Sequence, residues 1–275
     1  MPVTSPRFSS CPELVSASNN APPLRKHARG RGVHLIQFAL LDLGHSMPNS
    51  TGGQSSPDGI YGDETKRAVE AFQRSKGLTT DGEVGKNTMA AFDAAFPGLK
   101  HRVRLHFRSL ALTTLPFEQT LRNAKTVYAQ YGIDIVYGSG ESLLLTPAQS
   151  AVFDKIDQEC NWSITTGEYN ELHQLGSSCP ANEIKIYYVN SLSGGLRGCG
   201  GHAPARPTAT VAHTGGPWTT AHEVGHVLLT SSFRPVHHPS QKNLMYSPTP
   251  VDNVIKMLTL AQVKQMRLHT CCIAV

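Results

Sequence analysis

Residues 222–226 read His222-Glu223-Val224-Gly225-His226, an H-E-x-x-H pattern. In a helix, positions four apart lie about 40° apart around the axis, so both imidazoles face one way. Imidazole nitrogen is a good donor to Zn2+, and a catalytic zinc keeps one coordination position open for water. Glu223 projects beside the two rings without being forced into the coordination shell. The pattern predicts a zinc centre with His222 and His226 as ligands and Glu223 as general base. The metal acidifies a water, and Glu223 takes its proton and passes it to a leaving amine. That is the chemistry of peptide-bond hydrolysis. The pattern counts only on a helix. Trp218, Ala221, Val224, Gly225, Leu228 and Leu229 supply a largely apolar one, and Pro217 suits its first position.

A catalytic zinc normally has three protein ligands, so a third donor is needed downstream. Pro235 ends any helix, and His237-His238 follow at once. Then comes Asn243-Leu244-Met245-Tyr246-Ser247. Residues 217–247 resemble the metzincin metallopeptidases. The second segment is similar to their Met-turn, most closely to the Leu-Met-Tyr-Pro of matrix metalloproteinases. The family pattern places a Gly three residues after the second His and a third His three further on. Leu229 and Ser232 occupy those positions here. In matrix metalloproteinases the third His lies eight residues before the Met, and counting back eight from Met245 reaches His237. The resemblance therefore implies His237 as third ligand, with His238 the alternative, and a five-residue insertion between the two halves. It implies Met245 as an apolar floor under the metal. It also implies a substrate lying extended along an edge strand near Ala209–Ala212, pairing as an added strand.

The elements that must position this site are legible upstream. Val103, Leu105, Phe107, Leu110 and Leu112 predict a strand with partial alternation. Pro116–Gly132 predicts a helix with Phe117, Leu121, Ala124, Val127 and Tyr128 on one face. Strands are expected at 133–137 and 183–189, an irregular stretch at 138–180 with one short helix near Pro147–Ile156, and a last helix at about 258–268. His101, His106, His173, His202, His213 and His269 receive no functional role.

A second pattern occupies residues 32–96. Asp58-Gly59-x-x-Gly62-x-x-Thr65-x-x-Ala68 returns as Asp81-Gly82-x-x-Gly85-x-x-Thr88-x-x-Ala91, offset by 23 residues. Asp-Gly makes a turn. Thr65 and Thr88 are expected near helix N-termini, their hydroxyls satisfying free amides. Leu35-Ile36-Gln37, Leu43-Gly44, Phe72-Gln73 and Gly77-Leu78 complete a unit that resembles the peptidoglycan-binding domain of bacterial cell-wall hydrolases, also found in matrix metalloproteinase pro-regions. The resemblance implies peptidoglycan as a partner.

The expected architecture is α+β. A flexible arm at 1–27 precedes a small three-helix domain at 28–98, with a linker at 97–101. A metzincin-like catalytic domain at 102–275 follows, with a mixed, mostly parallel sheet and an active-site helix. The formal charge of +5 is concentrated in Arg25-Lys26-His27-Ala28-Arg29-Gly30-Arg31. With no basic–aromatic alternation after it, this run reads as a solvated linker, and nucleic acid is not an expected partner. No stretch reaches the roughly 18 apolar residues of a membrane span, and the N-terminus lacks the h-region of a secretory signal. Secretion or an envelope location is thus expected from function and not from a leader. None of the six cysteines forms a C-x-x-C pair, so a cysteine zinc site is not expected. A disulfide among Cys160, Cys179 and Cys199 is expected only in an oxidising compartment. Cys199 or Cys11 as a thiol masking the metal is a further alternative. The leading function is a zinc endopeptidase acting on protein or peptide and targeted to cell wall. The alternatives are a hydrolase of wall stem peptides or cross-links, and a non-catalytic wall-binding protein with structural zinc.

Overall fold

The computed structural model describes residues 2–53, 56–112, 115–157 and 160–275. The expected arm at Met1, the helical domain at 54–55 and the irregular stretch at 158–159 reach outside them. The chain divides into two compact units. One holds the residues through Leu99 with Ala129–Gly132 and Leu258–Val263; the other holds the remainder.

The first unit contains α1 (Pro12–Ala17), α2 (Arg31–Asp42), α3 (Asp63–Ser75) and α4 (Lys86–Ala95). Its core joins Val33, Ile36 and Leu40 of α2 to Val69 and Phe72 of α3 and Phe92 of α4. The Phe72 and Phe92 rings stack with centroids 4.0 Å apart. The segment expected as a flexible arm is instead part of this core. Phe8, Cys11, Leu14 and Ala17 recur every three residues and are fully buried. Burying a side chain of Phe or Leu size contributes about 1.5–3 kcal/mol. Polar bonds add to this: the Thr4 and Ser5 amides donate to the Asp93 carboxylate at 3.0 and 2.7 Å, and Arg7 pairs with Asp42 at 2.7 Å. The Ser, Pro and Asn content of the segment concealed that apolar spacing.

The internal repeat is also a hydrogen-bond repeat. Buried Gln37 donates from Nε2 to Asp58 Oδ1, Ile60 O and Thr65 Oγ1, and its Oε1 accepts from Gly59 N. Gln73 does the same with Asp81 Oδ1, Glu83 O, Thr88 Oγ1 and Gly82 N, at 2.7–3.0 Å. Gly59 and Gly82 both sit at φ 69°, which the turn requires and glycine adopts without strain. Thr65 and Thr88 therefore do not cap their helices as expected; their hydroxyls close the glutamine network. Gln73→Leu leaves the buried Gly82 N–H and its partners unsatisfied. It should destabilise the protein by about 2–4 kcal/mol in urea unfolding. A loss under about 1 kcal/mol would show that the network does not hold the turn.

The second unit is built on a sheet of β1 (His101–Ser109), β2 (Ile133–Ser142), β4 (Ile184–Val189), β6 (Gly198–Cys199) and β7 (Thr208–Ala212). Between these lie α5 (Phe117–Ala129), α6 (Pro147–Phe153), β3 (Lys155–Ile156), α7 (Gly167–Leu172) and β5 (Ser191–Leu192). After β7 come α8 (Thr219–Leu229), α9 (Leu260–Leu268), which begins in the first unit, and β8 (Ile273–Ala274). The order is β2-β1-β4-β7-β6, with β8 adding to β1. β2, β1, β4 and β7 run parallel, and β6 and β8 pair antiparallel. This is the mixed, mostly parallel sheet expected.

A further expectation fails here. Ala209–Ala212 is not an edge. It lies in β7, between β4 and β6, and all five residues of β7 are buried. Paired on both sides and buried throughout, β7 offers no free edge to an added strand. The edge is β6, with Val211 opposite Gly198 and Thr210 opposite Cys199. Among the described residues, no helix is long and apolar enough to cross a membrane.

Candidate metal centre

Every residue of α8 is buried, and its backbone is tied down from several sides. Tyr128 of α5 donates to Ala221 O at 2.9 Å, and Asn123 donates to Pro217 O at 2.9 Å. The Tyr188 hydroxyl of β4 meets Thr220 Oγ1 at 3.1 Å. Trp218 Nε1 donates to Asp252 O at 2.7 Å. The helix starts at Thr219, so Pro217 lies just before the cap at Trp218. It ends at Leu229, and Thr230 turns the chain with φ 64°. A β-branched residue thus holds a left-handed conformation usually left to glycine.

The turn brings His237 back over α8. His226 Nε2 lies 2.9 Å from His222 Nε2 and 3.2 Å from His237 Nε2. These three nitrogens form a cluster able to hold a metal ion. Around a tetrahedral ion with bonds of about 2.0–2.1 Å, ligand nitrogens stand roughly 3.3 Å apart. The observed spacing fits such an ion. The donor chemistry fits as well. His222 Nδ1–H donates to Leu244 O at 2.7 Å, which leaves the Nε2 lone pair facing its neighbours. Burial lowers all three imidazole pKa values, to about 4 for His222 and well below the ordinary value for His226, so the rings are neutral donors at pH 7.

His238 is not part of this cluster. Its Nδ1 accepts from Ser240 N at 3.1 Å, and its own backbone N–H donates to Met245 O at 2.8 Å. Met245 lies against the helix at Gly225: a Cβ built there would sit 2.5 Å from Met245 Sδ. The turn around Met245 is closed by Met245 N to Asn243 Oδ1 at 2.8 Å and by Leu244 N to Met257 O at 2.8 Å.

Glu223 is buried beside the histidines. Burial lifts its pKa to about 8, opposed by a backbone hydrogen bond from Gly200. Its carboxylate lies against β6. A Cβ at Gly198 would stand 2.4 Å from Glu223 Oε1, so a side chain there would displace the carboxylate. The sequence pattern alone does not mark this glycine strand and its disulfide as parts of the site. Cys199 of β6 is bonded to Cys160, which removes it as a thiol masking the metal. Cys11 is a buried, free thiol in the first unit's core, hydrogen-bonded to Glu13, with burial raising its pKa to about 12. The disulfide leads into Trp162, whose ring meets His226 edge-on at 5.7 Å between centroids. The Gly198-Cys199-Gly200-Gly201 run was the available sequence signal: such density of glycine marks a close backbone approach.

The resulting cleft has a volume of about 600 Å3. Trp162, Arg197, Gly198, Glu223, His237 and Thr249 are among its walls. Three neutral imidazoles and the Glu223 carboxyl group therefore meet in one cleft.

Comparison with known proteins gives a class for one part of the chain. Residues 29–92 match the family of putative peptidoglycan binding domains. A probable N-acetylmuramoyl-L-alanine amidase of Bacillus licheniformis is 35% identical over 80 residues, covering 29% of this chain and 21% of that protein. The match thus spans about a fifth of the relative's length. Among solved structures, a peptidoglycan-binding protein from Clostridioides difficile is 28% identical over 27% of this chain and 42% of its own, with a TM-score of 0.24. Metalloproteinase-II from Bacteroides fragilis is 14% identical over 61% of this chain and 52% of its own, with a TM-score of 0.42.

Proposed function

We propose that the chain is a zinc-dependent endopeptidase carried to bacterial cell wall by its N-terminal unit. The observation that supports this best is the convergence of His222, His226 and His237 on one point, with Glu223 buried beside them. His222, His226 and His237 would hold a zinc ion through their Nε2 atoms, and bound there it would supply a Lewis acid that makes a water more acidic. The chain's own residues do the rest. Leu244 O fixes the His222 tautomer. Gly198 leaves room for the Glu223 carboxylate, Gly200 gives it a backbone hydrogen bond, and Glu223 moves the proton to the departing amine. β6, with one edge paired to β7, is the strand along which an extended substrate adds. A structural zinc is ordinarily closed by four protein ligands. Among the described residues the candidate cluster has three, which favours a catalytic role over a structural one.

The match of residues 29–92 to the peptidoglycan-binding family supports the wall as partner, and it favours wall stem peptides as a second substrate class. Digestion of casein and of purified peptidoglycan, in parallel and with or without a chelator, tests both readings. Cleavage should be lost on chelation and return with added zinc. Cleavage of either substrate that survives exhaustive chelation would overturn the zinc mechanism.

A further inference from the structure

The two turns of the internal repeat are equivalent in backbone and network but not in surroundings. At the first turn the chain fills its own groove. Glu64, the second residue of α3, accepts from Asn49 N at 3.2 Å and Ser50 N at 2.6 Å. Ser50 O in turn accepts from Asp58 N at 2.8 Å, and Thr51 is fully buried. At the second turn the residue equivalent to Glu64 is Asn87, which is exposed. The segment at 20–24 packs beside this turn, where Leu24 and Val84 exchange backbone hydrogen bonds, but leaves Asn87 uncovered. A groove of about 540 Å3 remains, with Asn20, Asp81, Glu83, Lys86, Asn87 and Thr88 among its walls. One wall comes from outside the family match: Asn20 Oδ1 accepts from Lys86 N at 2.7 Å, and Pro23 lies beside it.

We propose that this second-turn groove is where the chain holds peptidoglycan, and that it grips a stem peptide and not the glycan strand. The inference rests on the reading of residues 29–92 as a wall-binding unit. The walls carry both signs of charge, Asp81 and Glu83 against Lys86, together with the amides of Asn20 and Asn87. A stem peptide offers the complement: free carboxylates, backbone amides and, where it carries a diamino acid, an ammonium. Among the described residues, no aromatic ring lines the groove to stack on a sugar face. At the first turn the matching position, Glu64, already binds peptide backbone, accepting from the amides of Asn49 and Ser50.

The test uses the full chain carrying Glu223→Gln, so that the probe is not consumed. Titration with a soluble stem tetrapeptide, followed by NMR, should shift the amide signals of Gly85–Thr88 and leave those of Gly62–Thr65 in place. Asn87→Trp and Lys86→Glu, both at exposed positions, should each weaken binding at least tenfold, while Arg67→Trp on α3 should not. Shifts confined to the first turn, or unchanged affinity in both groove variants, would overturn the assignment. Binding of peptide-free glycan chains in place of the tetrapeptide would overturn the ligand class. Co-sedimentation of the same chain with intact peptidoglycan separates the two levels. Retained co-sedimentation with a silent groove rejects this site alone, and no co-sedimentation rejects the wall-binding reading with it.

Discussion

Glu223→Gln should retain a full complement of zinc and lose about 10²–10⁴-fold in turnover, or roughly 3–5 kcal/mol of barrier. The retention follows from geometry. The proposed ligands are the three imidazole Nε2 atoms, and Glu223 is not among the clustered donors. Gln has the shape of Glu, so it fits the space left by Gly198 and does not push on β6. It can also still accept from the Gly200 backbone N–H, the bond that opposes burial of the carboxylate. What it cannot do is take up a proton at neutral pH and return it. Zinc content by elemental analysis and initial rates on the same preparation read the two effects separately. A variant that holds zinc and cleaves within tenfold of the wild type would remove Glu223 from the mechanism. A variant that loses its zinc would mean that the carboxylate supports the cluster itself.

The parts of this molecule that are legible in the sequence are those with strong local periodicity. β1, β4, α5 and α8 declare themselves by apolar spacing, and the repeat by its Asp-Gly turns. The core role of residues 2–24 was hidden because Phe8, Cys11 and Leu14 sit among Ser, Pro and Asn. Their burial is decided by the core they join; Phe8 packs on Phe92 and Phe96, with ring centroids 6.3 and 5.8 Å away. The edge of the sheet was misplaced for a related reason. Thr208–Ala212 is apolar enough to be a strand, but its neighbours cannot be read from composition. The strand that covers it, Gly198–Cys199, is two residues long and has no alternation to reveal it. The cysteine partners were narrowed to three and no further, because pairing depends on where the 160–162 loop comes to lie. Near the metal centre the spacing of His222, Glu223 and His226 carried most of the information, since a helix turns one-dimensional spacing into direction. Beyond the helix that translation ends. The turn at Thr230 and the path to His237 are set by tertiary contacts.

His237→Ala should lower zinc affinity by more than about 100-fold, whereas His238→Ala should keep the metal. Loss of an outer hydrogen-bond partner already costs a zinc site about 10–100-fold, and loss of a ligand exceeds that. His237 Nε2 is 3.2 Å from His226 Nε2, and its ring lies near-parallel to His222 with centroids 5.6 Å apart. Removing it leaves two nitrogens on α8 facing open cleft. The neighbouring side chain has different work. His238 Nδ1 accepts from Ser240 N at 3.1 Å, which shapes the bend that follows. Its link to Met245 O runs through the backbone N–H, which alanine keeps. His238→Ala therefore loses one exposed hydrogen bond and leaves the strap between His237 and the Met245 turn intact. Zinc titration against a competing chelator, on folded protein checked by circular dichroism, measures both affinities. An emptied site in His238→Ala with a full one in His237→Ala would reverse the assignment. Full sites in both would mean that the third donor comes from elsewhere, and the cluster of three imidazoles would lose its claim to be the metal centre.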